Sequence, residues 1–224
     1  LAQALQVPVF TALRLVTQGV PIVQALARGQ LLLDLMVRTA VADAGRAADS
    51  VGMTARPAVT SYIRVVEAGA CSRCIILAGA EYGVSSGFLR HPRCHCGMEP
   101  VTRDHRPKAQ DPRQVVDAMS AKEKQRVFGQ AGAKAIDDGA DLGQVVNARR
   151  GMATATAFGR TVQTTTEGTT RRGLAGNRLR NFGRVDGQRY RVSRTPRLMP
   201  EEIFRQADDR AHAMRLLRLH GYLY

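Results

Sequence analysis

The sequence predicts an α+β fold, and three observations carry that prediction. The first 50 residues repeat apolar side chains at helical spacing. A β-branched stretch at 59–67 then leads into a cluster of cysteines, and the chain beyond residue 110 carries capped helix starts and a terminal amphipathic helix. Hydrophobic residues form 44% of the 224, enough for a core, but aromatics are 5% and Trp is absent, so Ala, Val, Leu and Ile are expected to fill it. No uncharged apolar run approaches the roughly 20 residues needed to cross a bilayer, because Arg14, Arg28 and Asp34 interrupt the N-terminal region, and no membrane partner is expected. The chain opens at Leu1 with neither Met nor a basic leader, which reads as the ordered or processed part of a longer product.

In order, residues 1–52 form a helical segment. Leu5, Val9, Leu13 and Val16 follow helical spacing until Gly19-Val20-Pro21, and a second helix covers about Ile22 to Ala48. Apolar residues on more than one face of these helices fit burial against a partner, a second copy of the chain, or an ordinary core helix pair. Residues 53–110 form a small module that opens with a strand, Val59 to Glu67, ending at Ala68-Gly69-Ala70. Residues 111–152 are helical: Asp111-Pro112 is a cap followed by proline at the first helical position, and Ser120 with Glu123 forms a capping box. The helix it opens contains Val127, Phe128, Ala131, Ala135 and Ile136, and Asp141 caps a third helix. Residues 153–197 lose periodicity, with eight Thr between Thr154 and Thr170, and read as an extended arm or a set of irregular strands. The last segment, 198–224, is expected as one helix from Pro200 with Ile203, Ala207, Ala211, Met214 and Leu217 as its stripe.

The net charge of +14 is unevenly placed: residues 160–197 hold 10 basic groups, all Arg, against 2 acidic ones. Guanidinium forks pair bidentately with phosphate, and a dense basic segment gains affinity for polyanions by counterion release. The arm therefore faces nucleic acid or acidic protein neighbours. The use of 29 Arg to 4 Lys throughout also fits a GC-rich coding bias.

All four cysteines fall between residues 71 and 96, as Cys71-Ser72-Arg73-Cys74 and His91-Pro92-Arg93-Cys94-His95-Cys96. Two such pairs at this separation are the arrangement of a structural zinc site, each pair clasping the ion from a tight turn. The candidate ligands are Cys71, Cys74, His91, Cys94 and Cys96. Zinc takes four, so one of the five stands outside the first shell, and His95 is left out because it points away if the segment is extended. Disulfides in an oxidising medium, or a redox-active CxxC, are the alternatives. The deaminase pattern, the His-Glu-x-x-His motif, a phosphate-binding Gly-rich loop and Gly-x-Ser-x-Gly are all absent, so no catalytic residue or organic cofactor is assigned.

The series of strand, Cys71-x-x-Cys74, Leu77-x-Gly79, then Phe88-Leu89-Arg90-His91-Pro92-Arg93-Cys94-His95-Cys96 and Pro100-Val101 resembles the Mu F-like minor head proteins of tailed bacteriophages. That family typically shows CxxC, a Leu-x-Gly step and an HPxCxC segment. Residues about 59–103 carry this match. Phe128 to Ala133, Gly139-Ala140-Asp141, Val145 to Met152, Glu167 to Gly173 and Pro200 to Leu223 resemble the version in phages of actinobacteria. The resemblance implies a minor capsid protein in the head interior, made in the bacterial host's cytoplasm and associated with portal and major capsid proteins. It would aid head assembly, DNA packaging or delivery. His95 stands where the family commonly has a basic residue, which leaves its role open. A free-standing zinc-containing nucleic-acid-binding protein is the second reading. A maturation protease or zinc hydrolase is a third, which would need a nucleophile and base that the sequence does not display.

Overall fold

Helical hairpin, three-stranded sheet and metal-donor loops make up the first of two compact units, residues 1–110; residues 111–224 make up the second. The computed structural model describes residues 2–87, 90–92, 94, 96–157, 159–187 and 189–224. Leu1, Phe88, Leu89, Arg93, His95, Phe158 and Gln188 lie outside the described residues, and with them the readings placed above on Leu1, Phe88, Leu89, Arg93 and His95. The mixed α+β class stands.

Helices α1 (Ala2–Thr17) and α2 (Ile22–Thr54) fold back on each other across the turn at Gly19. They meet through small residues: a Cβ at Gly29 would stand 3.0 Å from the Pro8 carbonyl oxygen and 3.2 Å from the Ala12 side chain, so only glycine permits the crossing. Ala12 and Ala25 are buried there, whereas Val9, Leu13 and Val16 of the expected stripe stay exposed. α2 also runs past Gly52, where an extended segment was expected. Arg56 reaches back to donate to the Gly52 carbonyl at 3.0 Å, and the chain leaves the helix two residues before Pro57, which disfavours helical geometry at Arg56. Among the described residues no helix is long and apolar enough to cross a membrane.

Strand β1 (Val59–Val65) is the centre of an antiparallel sheet, flanked by β2 (Glu81–Gly83) and β3 (Gly97–Thr102). Its β-branched residues and Tyr62 suit a pleated, buried surface, and Tyr62 stacks on Tyr82 with ring centroids 5.5 Å apart. Past its end the Gln110 side chain replaces a neighbouring strand, accepting from the Val66 amide at 2.7 Å and donating to the Val66 carbonyl at 3.0 Å. A one-turn helix, α3 (Ser72–Ile75), lies between β1 and β2.

In the second unit the caps sit as expected: Asp111 accepts from the Arg113 amide before α4 (Pro112–Asp117), and Ser120 and Glu123 form the capping box of α5 (Ala121–Phe128). The helix expected to continue through Ile136 breaks at Gly129, whose φ of 74° only glycine adopts readily, and restarts as α6 (Gln130–Asp137). Asp141 caps α7 (Leu142–Ala148), and a 3₁₀ turn at Arg149–Gly151 leads to the hairpin of β4 (Met152–Ala157) and β5 (Arg160–Thr165).

Of the two readings of 153–197, an extended arm or a set of irregular strands, the structure has the strands, with one helix among them. After the hairpin come α8 (Leu174–Leu179), the pair β6 (Phe182–Gly183) and β7 (Val192–Ser193), and β8 (Arg197–Leu198), which joins β5. The single C-terminal helix is two, α9 (Pro200–Gln206) and α10 (Arg210–Leu219). Ala207 is extended, and Asp209 accepts from the His212 amide at 2.6 Å to start the second helix. Ile203 and Leu217 of the expected stripe are buried, but the break exposes Ala211 and buries Ala213 instead.

Arg197, the last arginine of the basic stretch, is 1% exposed and organises this unit's interior. Its guanidinium donates to the carbonyls of His220 at 2.8 Å and Glu167 at 2.8 Å and to the Gln144 side chain at 3.0 Å, and it lies 4.3 Å over the Tyr222 ring. His220 accepts from the Leu198 amide through Nδ1, and burial beside Arg197 pushes its pKa down to about 4. In the unfolded chain it titrates near its usual value, about 6.5. The unfolded state therefore binds more protons between these values, and stability falls as pH drops through that window and levels off below it. The predicted loss from pH 6.5 to about 4 is roughly 3 kcal/mol. Denaturation at stepped pH should show His220→Gln lacking this component relative to wild type.

Candidate metal centre

Cys71 is the N-cap of α3, with an extended backbone, and Cys74 follows one turn later inside the helix. The Ile75 amide donates to the Cys71 carbonyl and the Leu77 amide to the Cys74 carbonyl, so the CxxC segment is a closed turn presenting two sulfurs to one side. Gly79, at φ 73°, ends this turn, and a Cβ there would collide with the Gln110 carbonyl oxygen at 2.2 Å. The second donor segment is also a turn: the Cys94 amide donates to the His91 carbonyl at 3.0 Å, and Cys96 directly precedes β3. Since β3 pairs with β1 from Gly97 opposite Val65, that register delivers Cys96 to the same place.

The five expected donors converge. Cys71, Cys74 and His91 form one group and Cys74, Cys94 and Cys96 a second, each with its ligand atoms within 4.8 Å of one another, and Cys74 belongs to both. Cys71 Sγ lies 2.9 Å from His91 Nε2, Cys74 Sγ lies 3.5 Å from the same nitrogen, and the sulfurs of Cys74 and Cys94 are 3.6 Å apart. Tetrahedral ligation with metal–sulfur bonds of about 2.3 Å sets sulfurs roughly 3.8 Å apart, so the spacing of Cys74 and Cys94 suits a shared ion. All four cysteines are free. His91 Nδ1 stands 2.7 Å from the Pro92 carbonyl oxygen, which can only accept; the proton is therefore on Nδ1, and the Nε2 lone pair faces the sulfurs.

Two arginines that the sequence reading passed over complete the site. Arg64, on β1 and 1% exposed, places Nη2 at 3.4 Å from Cys74 Sγ, 3.5 Å from Cys96 Sγ and 4.0 Å from Cys94 Sγ. Arg46, buried on α2, donates to the carbonyls of Cys94 at 2.8 Å and Cys96 at 3.2 Å, and Asp43 accepts from both Arg46 and Arg90. A basic residue one step from Tyr62 on the same strand face, and another amid the small residues of α2, were the available signals.

The electrostatics favour ligation. Hydrogen bonding from Cys74 pulls the Cys71 and Cys96 thiols down to about 5, with Arg64 adding to the effect at Cys96. Cys74, sharing its proton with both, is pushed far above the ordinary thiol range. Burial, the largest single influence, opposes the charge of Arg64, but hydrogen bonds to Cys96 and Tyr82 and the charge of Cys96 and Cys74 together outweigh it and raise its pKa. Two thiolates thus stand ready at neutral pH, and a bound cation would displace the remaining protons. Sulfur and imidazole donors suit a soft or borderline ion and not Ca²⁺ or Mg²⁺, which require oxygen. The cluster can hold a metal ion.

No known protein family, no curated protein and no solved structure matches the chain.

Because Cys74 belongs to both donor groups, Cys74→Ser should weaken metal retention more than Cys71→Ser or Cys96→Ser. Loss of a direct ligand should exceed the roughly 10–100-fold cost of losing a ligand's supporting partner. Chelator competition measures the order, and limited proteolysis should show residues 59–102 opening in the Cys74→Ser protein.

Proposed function

We propose that this chain is a structural, non-enzymatic minor capsid protein of a tailed bacteriophage. In this reading it stands inside the head against portal and major capsid subunits, and its metal is zinc held as a structural clasp. The observation that carries the structural part is the closure of the donor cluster. Two donor groups share Cys74 and together offer five side chains where zinc takes four, and Arg64 lies against three of the sulfurs, which supports a shell filled by protein rather than one left open for water. The CxxC and HPxCxC segments that build the cluster are also the ones on which the resemblance to Mu F-like minor head proteins rests.

Packaged double-stranded DNA is the partner proposed for the basic stretch. Of its ten arginines, Arg197 is buried, Arg178 donates to the carbonyls of Arg218 and Leu223, and Arg160 pairs with the buried Glu202 at 3.3 Å. The other seven, Arg171, Arg172, Arg180, Arg184, Arg189, Arg191 and Arg194, make no ion pair with a carboxylate among the described residues. All seven are exposed, along the segment that carries α8 and the β6–β7 pair. The same surface favours the second reading, a zinc-containing nucleic-acid-binding protein outside any capsid.

Co-purification separates the two: the phage reading predicts this chain in purified virions with portal and capsid subunits, and its absence from virions refutes it. On double-stranded DNA the binding constant should fall steeply with salt, each arginine on a phosphate contributing about 0.9 to the logarithmic slope. Replacing Arg189 and Arg191 by Gln should therefore lower the slope by roughly 2, measured by fluorescence anisotropy across a salt series.

A further inference from the structure

Arg64 is placed with more care than a packing residue requires. It sits in the central strand, and its backbone is held on both sides: its amide donates to the Ala80 carbonyl at 2.9 Å, its carbonyl accepts from the Gly79 amide at 2.9 Å, and it pairs with Met98 of β3. The two bonds tie it to the turn that follows Cys74, and its register opposite Met98 sets it beside the strand that follows Cys96. The root of the side chain is thus fixed to both donor segments at once.

From that root the guanidinium reaches Cys74, Cys94 and Cys96, all three buried. A buried cation costs several kcal/mol unless negative charge surrounds it. Here the sulfurs supply that charge. A divalent ion with three thiolates and a neutral imidazole carries one net negative charge, which Arg64 offsets. A planar fork in a fixed orientation can direct N–H groups at more than one sulfur, whereas a lysine ammonium is a point charge on a flexible stem.

We infer that Arg64 is a positioning residue of the zinc centre: it holds the sulfurs of Cys74, Cys94 and Cys96 in ligating geometry and slows loss of the ion. The inference rests on the zinc reading above. It assigns Arg64 no chemistry of its own; it acts through the sulfurs, by N–H···S bonds and by the charge that offsets theirs.

The test uses the full chain as wild type, Arg64→Lys and Arg64→Met, each loaded with zinc and checked for native secondary structure by circular dichroism. The readout is the rate of zinc transfer to an excess of a chromophoric chelator. Arg64→Met should release zinc about 10–100-fold faster than wild type, the usual cost of removing a partner that supports a metal ligand. Arg64→Lys should fall between, at least about threefold faster than wild type, because it restores charge without the fork. Wild type that binds no zinc overturns the zinc reading itself. Wild type that holds zinc while a folded Arg64→Met releases it at the same rate overturns the role of Arg64 alone. If Arg64→Met does not fold, Arg64→Lys decides in the same way, a wild-type release rate counting against the proposal.

Discussion

Four sulfurs and an imidazole are gathered into two groups that share Cys74, in a module with a small apolar core, and the described structure around β1 follows from that constraint. β1 is central because both donor turns must be anchored to the same strand. α3 is a single turn because the CxxC spacing needs only one. Gln110 completes the end of the sheet in place of another strand, and the close approach of its backbone is why Gly79 carries no side chain. The apolar core around this module is modest: Tyr62, Ile63, Ile75 and Val101 are buried, with the cysteines themselves among their neighbours in the interior. In so small a core, sharing a cation among the sulfurs would contribute folding free energy directly.

Arginine does two kinds of work in this chain. In the first unit Arg46 and Arg64 are buried, one holding carbonyls of the ligand loop and the other facing its sulfurs. In the second unit Arg197 gathers acceptors from three segments, the Glu167 carbonyl, the His220–Gly221 carbonyls and the Gln144 side chain, and lies against Tyr222. Each presents several donors from one planar group, which suits interiors where acceptors converge. The remaining excess of positive charge is at the surface, concentrated around α8 and the β6–β7 pair. The net charge of +14 therefore divides into internal staples and an external surface, and only the latter can meet a polyanion.

What could be read from the sequence was local. The spacing of Cys71, Cys74, His91, Cys94 and Cys96 picked out the side chains that the fold brings together, because turns of this kind are short-range geometry. The caps at Asp111, Ser120 and Asp141 located helix starts because capping bonds span two or three residues. What escaped depends on contacts distant in sequence. The break at Gly129 is accompanied by Arg149 donating to the Phe128 carbonyl, and Arg149 also pairs with Glu201 at 3.0 Å. The burial of Arg197 depends on His220 and Gly221 reaching it. The role of Arg64 appears only once the register of β1 against β3 is known. The exposed apolar stripe of α1 was the converse case: the periodicity was real, but the crossing with α2 uses Pro8, Ala12, Ala25 and Gly29 instead.

The central claim is that these donors form a closed structural zinc site. X-ray absorption at the zinc edge, on the purified full chain, tests it most directly. The account predicts four ligands drawn from sulfur at about 2.3 Å and imidazole nitrogen at about 2.0–2.1 Å, with no oxygen donor. A coordinated water, an oxygen-dominated shell, or no zinc in protein prepared under reducing conditions would contradict it.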